Sequence, residues 1–193
     1  TKIISPVTFG AGIPAPNVTG DIILVSHDHY DHNSVKTVEK EDSKIVTDER
    51  KRTIQGIEIQ GILSYHDEEK GAKRGKNIIF KFVMDGIRFC HLGDLGHELD
   101  EETVQKIGEI DILFIPIGGT FTINSEQAWN VISAIKPKIV IPMHYKIGGL
   151  SLPITGIDSF LEQSKYKVIP VGNEIEIEKE DLPSEPEVWT FTL

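Results

Sequence analysis

Cysteine is nearly absent: Cys90 is the only one in 193 residues. A single thiol excludes an internal disulfide and any thiolate-rich zinc or iron–sulfur site. Long apolar runs are also missing, and no stretch approaches the roughly 18 residues of a membrane span. Positive charge is in deficit, with 20 Lys and Arg against 30 Asp and Glu, for a net charge of −10. Nucleic acid and anionic lipid both require a basic face, so neither is an expected partner. The first residues, Thr1-Lys2-Ile3-Ile4-Ser5-Pro6, do not read as a signal peptide, and cytoplasmic localisation is the expectation. No Pro/Gly/Ser-rich linker and no solenoid-type repeat interrupts the chain. Residues 1–193 are therefore expected to form one domain, and the sequence is silent on oligomeric state. The Gly-x-Ser-x-Gly elbow of serine hydrolases is absent as well.

What is present alternates between strand and helix. Asp21-Ile-Ile-Leu-Val-Ser26 reads as a buried strand, and Asn33 or Ser34 as the cap of a helix reaching about Asp42. Ser43 to Tyr65 is β-rich. Ile78 to Met84 and Ile87 to His91 flank Asp85-Gly86, which fits a two-residue type I′ hairpin turn. Asp100 caps a short helix to about Gly108. Asp111 to Ile117, the amphipathic Ser125 to Lys136 and Lys138 to Pro142 form a strand–helix–strand unit, which implies a parallel pair. A helix over 158–164 and strands in 166–170, 174–179 and 187–192 complete an α/β layered fold.

The seven histidines fall in four places. They are Ser26-His27-Asp28-His29-Tyr30-Asp31-His32, His66 in SYHDEE, His91 and His97 in CHLGDLGH, and His144 in PMHY. Three imidazoles and a carboxylate within one short loop cost desolvation if buried without partners. A divalent metal offsets that cost, because neutral imidazole and carboxylate are preferred ligands. His27 and His29 share one side of an extended segment, whereas Asp31 and His32 lie at the following turn. That spacing suggests two ions rather than one. His66, Asp94 and His144 each follow an apolar strand and are the candidates to complete the sites.

These motifs resemble the metal-ligand motifs of the metallo-β-lactamase superfamily. The stretch IPIGGTFTINSEQAWNVISAIKPKIVIPMHY is similar to its ascorbate-6-phosphate lactonase-like branch. The likeness spans roughly residues 20–150 and implies a four-layer αββα sandwich with the site at one edge. It implies that His27, His29 and His66 hold one metal. Asp31, His32 and His144 would hold a second, with Asp94 bridging. Family members usually begin with a hairpin before the segment matching residues 1–6, which this chain lacks. They also tend to carry Asp-Pro where Ser5-Pro6 stands.

The expected function is metal-dependent hydrolysis of an ester, lactone or amide in a small molecule. Two divalent ions, zinc first and Mn or Fe as alternatives, would activate water. Asp94 would hold the bridge, Asp31 would orient the nucleophile, and His91 would orient Asp94 or touch substrate. Phosphodiester hydrolysis is the alternative, and a catalytically idle metal-binding domain a further one. Cys90 reads as a core thiol. Gly118-Gly119 with Thr120 reads as a place for close substrate approach or as a simple loop. Lys73, Arg74 and Lys76 read either as attracting an anionic substrate near His66 or as a solvated loop.

Overall fold

The computed structural model describes residues 2–4, 17–29 and 32–192. Eleven strands run in chain order among these residues. They are β1 (Ile3–Ile4), β2 (Ile22–Leu24), β3 (Lys44–Val46), β4 (Arg52–Ile54), β5 (Ile57–Tyr65) and β6 (Lys76–Met84), followed by β7 (Ile87–His91), β8 (Ile112–Pro116), β9 (Ile139–Met143), β10 (Lys167–Gly172) and β11 (Glu187–Phe191). Three helices, α1 (Glu101–Ile107), α2 (Ser125–Ile135) and α3 (Asp158–Glu162), lie between them. The strands form a three-stranded sheet, β1-β2-β3, and an eight-stranded sheet, β10-β11-β9-β8-β7-β6-β5-β4.

Side-chain alternation builds the layers. One face of the large sheet presents Ile62, Ile79, Leu113, Ile115 and Val140 to Ile107 of α1, Val131 and Ile132 of α2 and Phe160 of α3. The opposite face presents Ile57, Ile59, Ile78 and Phe80 to Ile22, Leu24 and Val46 of the small sheet. Each fully buried isoleucine here contributes about 2 kcal/mol of transfer free energy. The outer face of the small sheet, Ile23 and Val25, packs on Val35 and Val38. Among the described residues, the order is therefore helices, large sheet, small sheet and one 3₁₀ turn.

That turn departs from expectation. Residues 33–42 contain only Val35–Thr37 in 3₁₀ form, not a helix to Asp42. Ser34 makes no capping bond from its side chain. Downstream, the Ser43 hydroxyl accepts from the Lys40 amide and donates to the Gly20 carbonyl, which turns the chain away. Residues 174–179 likewise form no strand. Ile177 instead packs beneath the large sheet with Trp189 and Leu182.

The turns explain how the antiparallel half is closed. Asp85 and Gly86 take φ of 52° and 77° between the paired Met84 and Ile87, as a primed turn requires. Gln55 and Gly56 do the same between β4 and β5. Asp100 caps α1 by accepting from the Thr103 amide. Asn124 and Gln127 form a reciprocal capping box on α2. The unit β8-α2-β9 is a parallel crossover, with Ile112 opposite Ile139. Because β6 is antiparallel to both β5 and β7, strands β5, β7, β8 and β9 all run the same way. Their C-terminal ends consequently share one edge of the sheet. The Ser26 carbonyl, just past β2, accepts from the Ile78 amide and draws the small sheet to that same edge.

Candidate metal centre

Four chain ends deliver the histidines to this edge. His27 and His29 follow β2, His66 follows β5, Asp94 follows β7, and His144 directly follows β9. The carboxylate of Asp94 is the hub. Its Oδ2 lies 3.2 Å from His144 Nε2, 3.3 Å from His66 Nε2, 3.5 Å from His32 Nε2 and 3.8 Å from His27 Nε2. Ligand atoms of His27, His29 and His66 lie within 4.8 Å of one another, as do those of His27, His32 and Asp94. Asp31, expected beside His32, lies outside the described residues, as do Ser5 and Pro6.

Burial sets the protonation state of His27, and hydrogen bonds set that of Asp94. Desolvation lowers the His27 pKa to about 3, with the neighbouring imidazoles His32, His66 and His29 working in the same direction. Burial opposes ionisation of Asp94, but hydrogen bonds from His144 and His66 and the nearby histidines hold it well below the usual carboxylate range. Neutral imidazole beside an ionised carboxylate is the state in which both donate electron pairs.

The residues fit a metal. His27 Nε2, one of the nitrogens around Asp94, is buried without a hydrogen-bond partner, which is costly unless something accepts its electron pair. Two donors about 2.0–2.2 Å from one ion at a tetrahedral angle stand roughly 3.4 Å apart, the same range as the spacings around Asp94. All donors are nitrogen or oxygen. Cys90 takes no part; it is buried in the core and its thiol is pushed up to about 12 by desolvation.

Further side chains hold this cluster, and several are not among the sequence candidates. Ser26 Oγ and His27 Nδ1 lie 2.9 Å apart and fix that ring. Asn77, wholly buried, accepts from the Asp94 amide at 2.9 Å and donates to the Leu92 carbonyl and to Ser64 Oγ. Asp67, next to His66, accepts from four backbone amides: Glu69 and Gly71 at one oxygen, Lys73 and Arg74 at the other. Burial works against its ionisation, and these four donors outweigh it, bringing the pKa down to about 2. His91 accepts from the Gly93 amide through Nδ1 and packs on Phe114, so it braces the turn that leads to Asp94. Desolvation lowers its pKa to about 4. His97 is committed to structure: Nε2 accepts from the Tyr65 amide and Nδ1 faces the Glu98 carbonyl.

Glycines mark where backbones touch. A Cβ on Gly96 would lie 2.2 Å from the His66 carbonyl carbon, and one on Gly118 would lie 2.2 Å from the His144 oxygen. Gly118 thus serves the approach of the His144 backbone, where substrate approach was one of the two sequence readings. His144 itself has a φ of 54°, an uncommon value for a residue with a side chain and a form of strain that clusters at functional sites.

An α/β/β sandwich with imidazoles and one carboxylate gathered at its C-terminal strand ends defines a metal-binding class of protein. Within that class the chain belongs to the beta-lactamase superfamily, whose domain model matches residues 2–144. It is 32% identical over 147 residues to a metal-dependent hydrolase of Thermoplasma acidophilum, an alignment covering 65% of each chain. The chain thus spans about two thirds of that relative's length. A crystal structure from Thermotoga maritima, assigned to the Zn-dependent hydrolases of the metallo-β-lactamase superfamily, superposes with a TM-score of 0.77. That match has 36% identity and covers 94% of this chain and 87% of the other. A metal-dependent hydrolase structure from Parabacteroides distasonis shares the fold at 22% identity, with a TM-score of 0.60 and coverage of 83% and 78%. Among the described residues, no helix is long and apolar enough to cross a membrane.

Proposed function

We infer that the chain hydrolyses an ester, lactone or amide bond in a small molecule with the help of two divalent ions, zinc first, with Mn and Fe as alternatives that the same donors accept. The observation that carries this reading is Asp94 Oδ2, which has four imidazole nitrogens within 3.2–3.8 Å. His27, His29 and His66 would hold one ion, and His32 and His144 the other. Asp94 would stand between them, and Asp31 beside His32 would complete the second set. When bound, such ions supply Lewis acidity and bring the pKa of coordinated water to near 7.

The protein's own part is placement. Asn77 fixes the backbone of Asp94, and Ser26 fixes the ring of His27. Burial keeps His27 and His91 neutral at physiological pH. Cavities of about 310 and 750 Å³ open on either side of the cluster, one lined by His66 and the other by His27 and His29. Volumes of that order suit a small molecule.

The test is a panel of a lactone, a nitrophenyl ester and bis-nitrophenyl phosphate, offered to zinc-loaded protein whose metal content is measured directly. Turnover of the lactone or ester with near two ions per chain is expected. Turnover of the phosphodiester alone would replace ester hydrolysis with phosphodiester hydrolysis. No bound transition metal, or unchanged metal content in His29→Ala, would overturn the reading.

A further inference from the structure

We propose that Arg74 is the receptor for an oxyanion on the substrate, a carboxylate or phosphate group distinct from the bond that is cleaved. The proposal rests on the hydrolase reading for the identity of the site. Its anion chemistry is independent of that reading.

Arg74 lines both cavities that flank the cluster, the one containing His66 and the one containing His27 and His29. Arg74 is the cationic residue common to the two, and its guanidinium lies beside Phe121, which lines the cavity containing His66. The loop backbone is fixed, and the side chain lies against an aromatic ring, before any ligand arrives. The Arg74 backbone amide donates to Asp67 at 2.7 Å, and the guanidinium carbon sits 5.6 Å from the centre of the Phe121 ring. A cation over an aromatic face is attracted to it without using its N–H donors.

Those donors are the decisive feature. Among the described residues, the Arg74 guanidinium makes no hydrogen bond or ion pair. The charges around it are already committed. Lys73 pairs with Glu69, and Glu68 accepts from Gln127 at 2.9 Å. Both oxygens of Asp67 are taken by backbone amides. In the larger cavity, Asp28 accepts from Asn33, and Glu49 balances Lys76 in formal charge. Net charge therefore does not single out an anion, but a half-buried fork with unused donors does. Carboxylate and phosphate are the groups that match it in a bidentate manner. A freely solvated arginine would not require the contact with Phe121.

Calorimetric titration of zinc-loaded protein with inorganic phosphate, and separately with benzoate, tests this. Arg74→Met is expected to weaken one or both probes at least tenfold, the scale of one lost charge-assisted pair. Arg74→Lys is expected to recover part of that loss, since it restores a point charge without the fork. Lys73→Ala is expected to stay within threefold of the wild type. Loss confined to phosphate would identify a phosphate-bearing substrate, and loss confined to benzoate a carboxylate-bearing one. Arg74→Met binding both probes within twofold of the wild type, at equal zinc content, would overturn the proposal. A second measurement compares nitrophenyl acetate with mono-nitrophenyl succinate. The preference for the charged ester, taken as a ratio of kcat/KM, should fall at least tenfold in Arg74→Met, and an unchanged ratio would count against Arg74. If the wild type turns over none of the lactone, ester and phosphodiester probes, the hydrolase reading fails while the titrations still decide the anion site.

Discussion

Asn77 and Asp94 are joined by a hydrogen bond in which the side-chain oxygen of Asn77 accepts from the Asp94 amide at 2.9 Å. The same side chain donates to the Leu92 carbonyl and to Ser64 Oγ, each at 2.8 Å. One buried amide thus ties the loop carrying the hub carboxylate to two neighbouring strands. Asn77→Ala leaves a buried amide and a carbonyl without partners, whereas the Ser64 hydroxyl keeps its donation to the backbone carbonyl of residue 77. At about 1–3 kcal/mol per stranded group, a total loss of roughly 3 kcal/mol is expected. Zinc affinity should fall about 10- to 100-fold, the usual range for a group that orients a ligand. Denaturant melts and competition with a chelator read the two effects separately. Unchanged zinc affinity in a folded Asn77→Ala would show that Asp94 is held by other means.

The histidines of the cluster were legible in the sequence because they announce themselves locally. His27, His29 and His32 sit within six residues, and His66 and His144 each end an apolar run. Their supporters were not legible. Asn77 matters because strand pairing sets it opposite Ser64, and that register exists only after β5 and β6 associate. Asp67 matters because a loop curls back over it. The hairpin at Asp85-Gly86 and the crossover around α2 were readable from turn chemistry and periodicity. Segment 33–42 departs from the helix that a cap at Asn33 or Ser34 suggests, because a cap residue signals only a start, whereas the Ser43 hydroxyl binds the Lys40 amide and the Gly20 carbonyl and turns the chain away.

Asp67 organises residues 68–75 by charge. Asp67→Asn keeps one acceptor oxygen but turns the other into a donor, so the amides of one pair, either Glu69 and Gly71 or Lys73 and Arg74, lose their acceptor. Hydrogen exchange in residues 68–75 should rise in this variant while the sheets keep their protection. The pH dependence follows from the lowered pKa. Its stabilising contribution is complete above the unfolded value of about 3.9, and it is lost as pH falls through the folded value of about 2. Wild-type loop amides should therefore lose protection between those limits, and Asp67→Asn should show no such step. An identical acid step in both proteins would remove Asp67 as its cause.

Gly96 faces the backbone of His66. A Cβ there would meet the His66 carbonyl carbon at 2.2 Å and the Asp67 amide nitrogen at 2.3 Å. Both neighbours are backbone, so neither yields cheaply. Gly96→Ala should cost about 3 kcal/mol, which for a chain of this size lowers the melting temperature by roughly 6–12 °C. Gly148→Ala is the matched control, because a Cβ there meets nothing within 4 Å. It should fall within about 0.5 kcal/mol of the wild type. Equal melting temperatures for the two variants would contradict the close approach of the Gly96 loop to His66.

Far from the cluster, Asp111 accepts three hydrogen bonds from Arg88, through the backbone amide, Nε and Nη2, at 2.8–2.9 Å. The carboxylate is buried, whereas the Arg88 side chain is 37% exposed, so water screens part of the pair. Asp111→Ala is expected to cost about 2 kcal/mol after that discount. The Arg88 guanidinium holds the Asp111 pKa below its ordinary value, against the opposing effect of burial. Its contribution is therefore present above the unfolded value near 3.9 and fades as pH falls through the lower folded value. The stability gap between wild type and Asp111→Ala should be full at pH 7 and smaller at pH 3, as measured by urea unfolding at both. A gap of equal size at the two values would mean that the variant acts through packing rather than charge. Zinc content should be unchanged at pH 7, because no atom of this pair touches the cluster. A similar stability loss with metal retained is what separates this variant from Asn77→Ala, whose cost falls on the site itself.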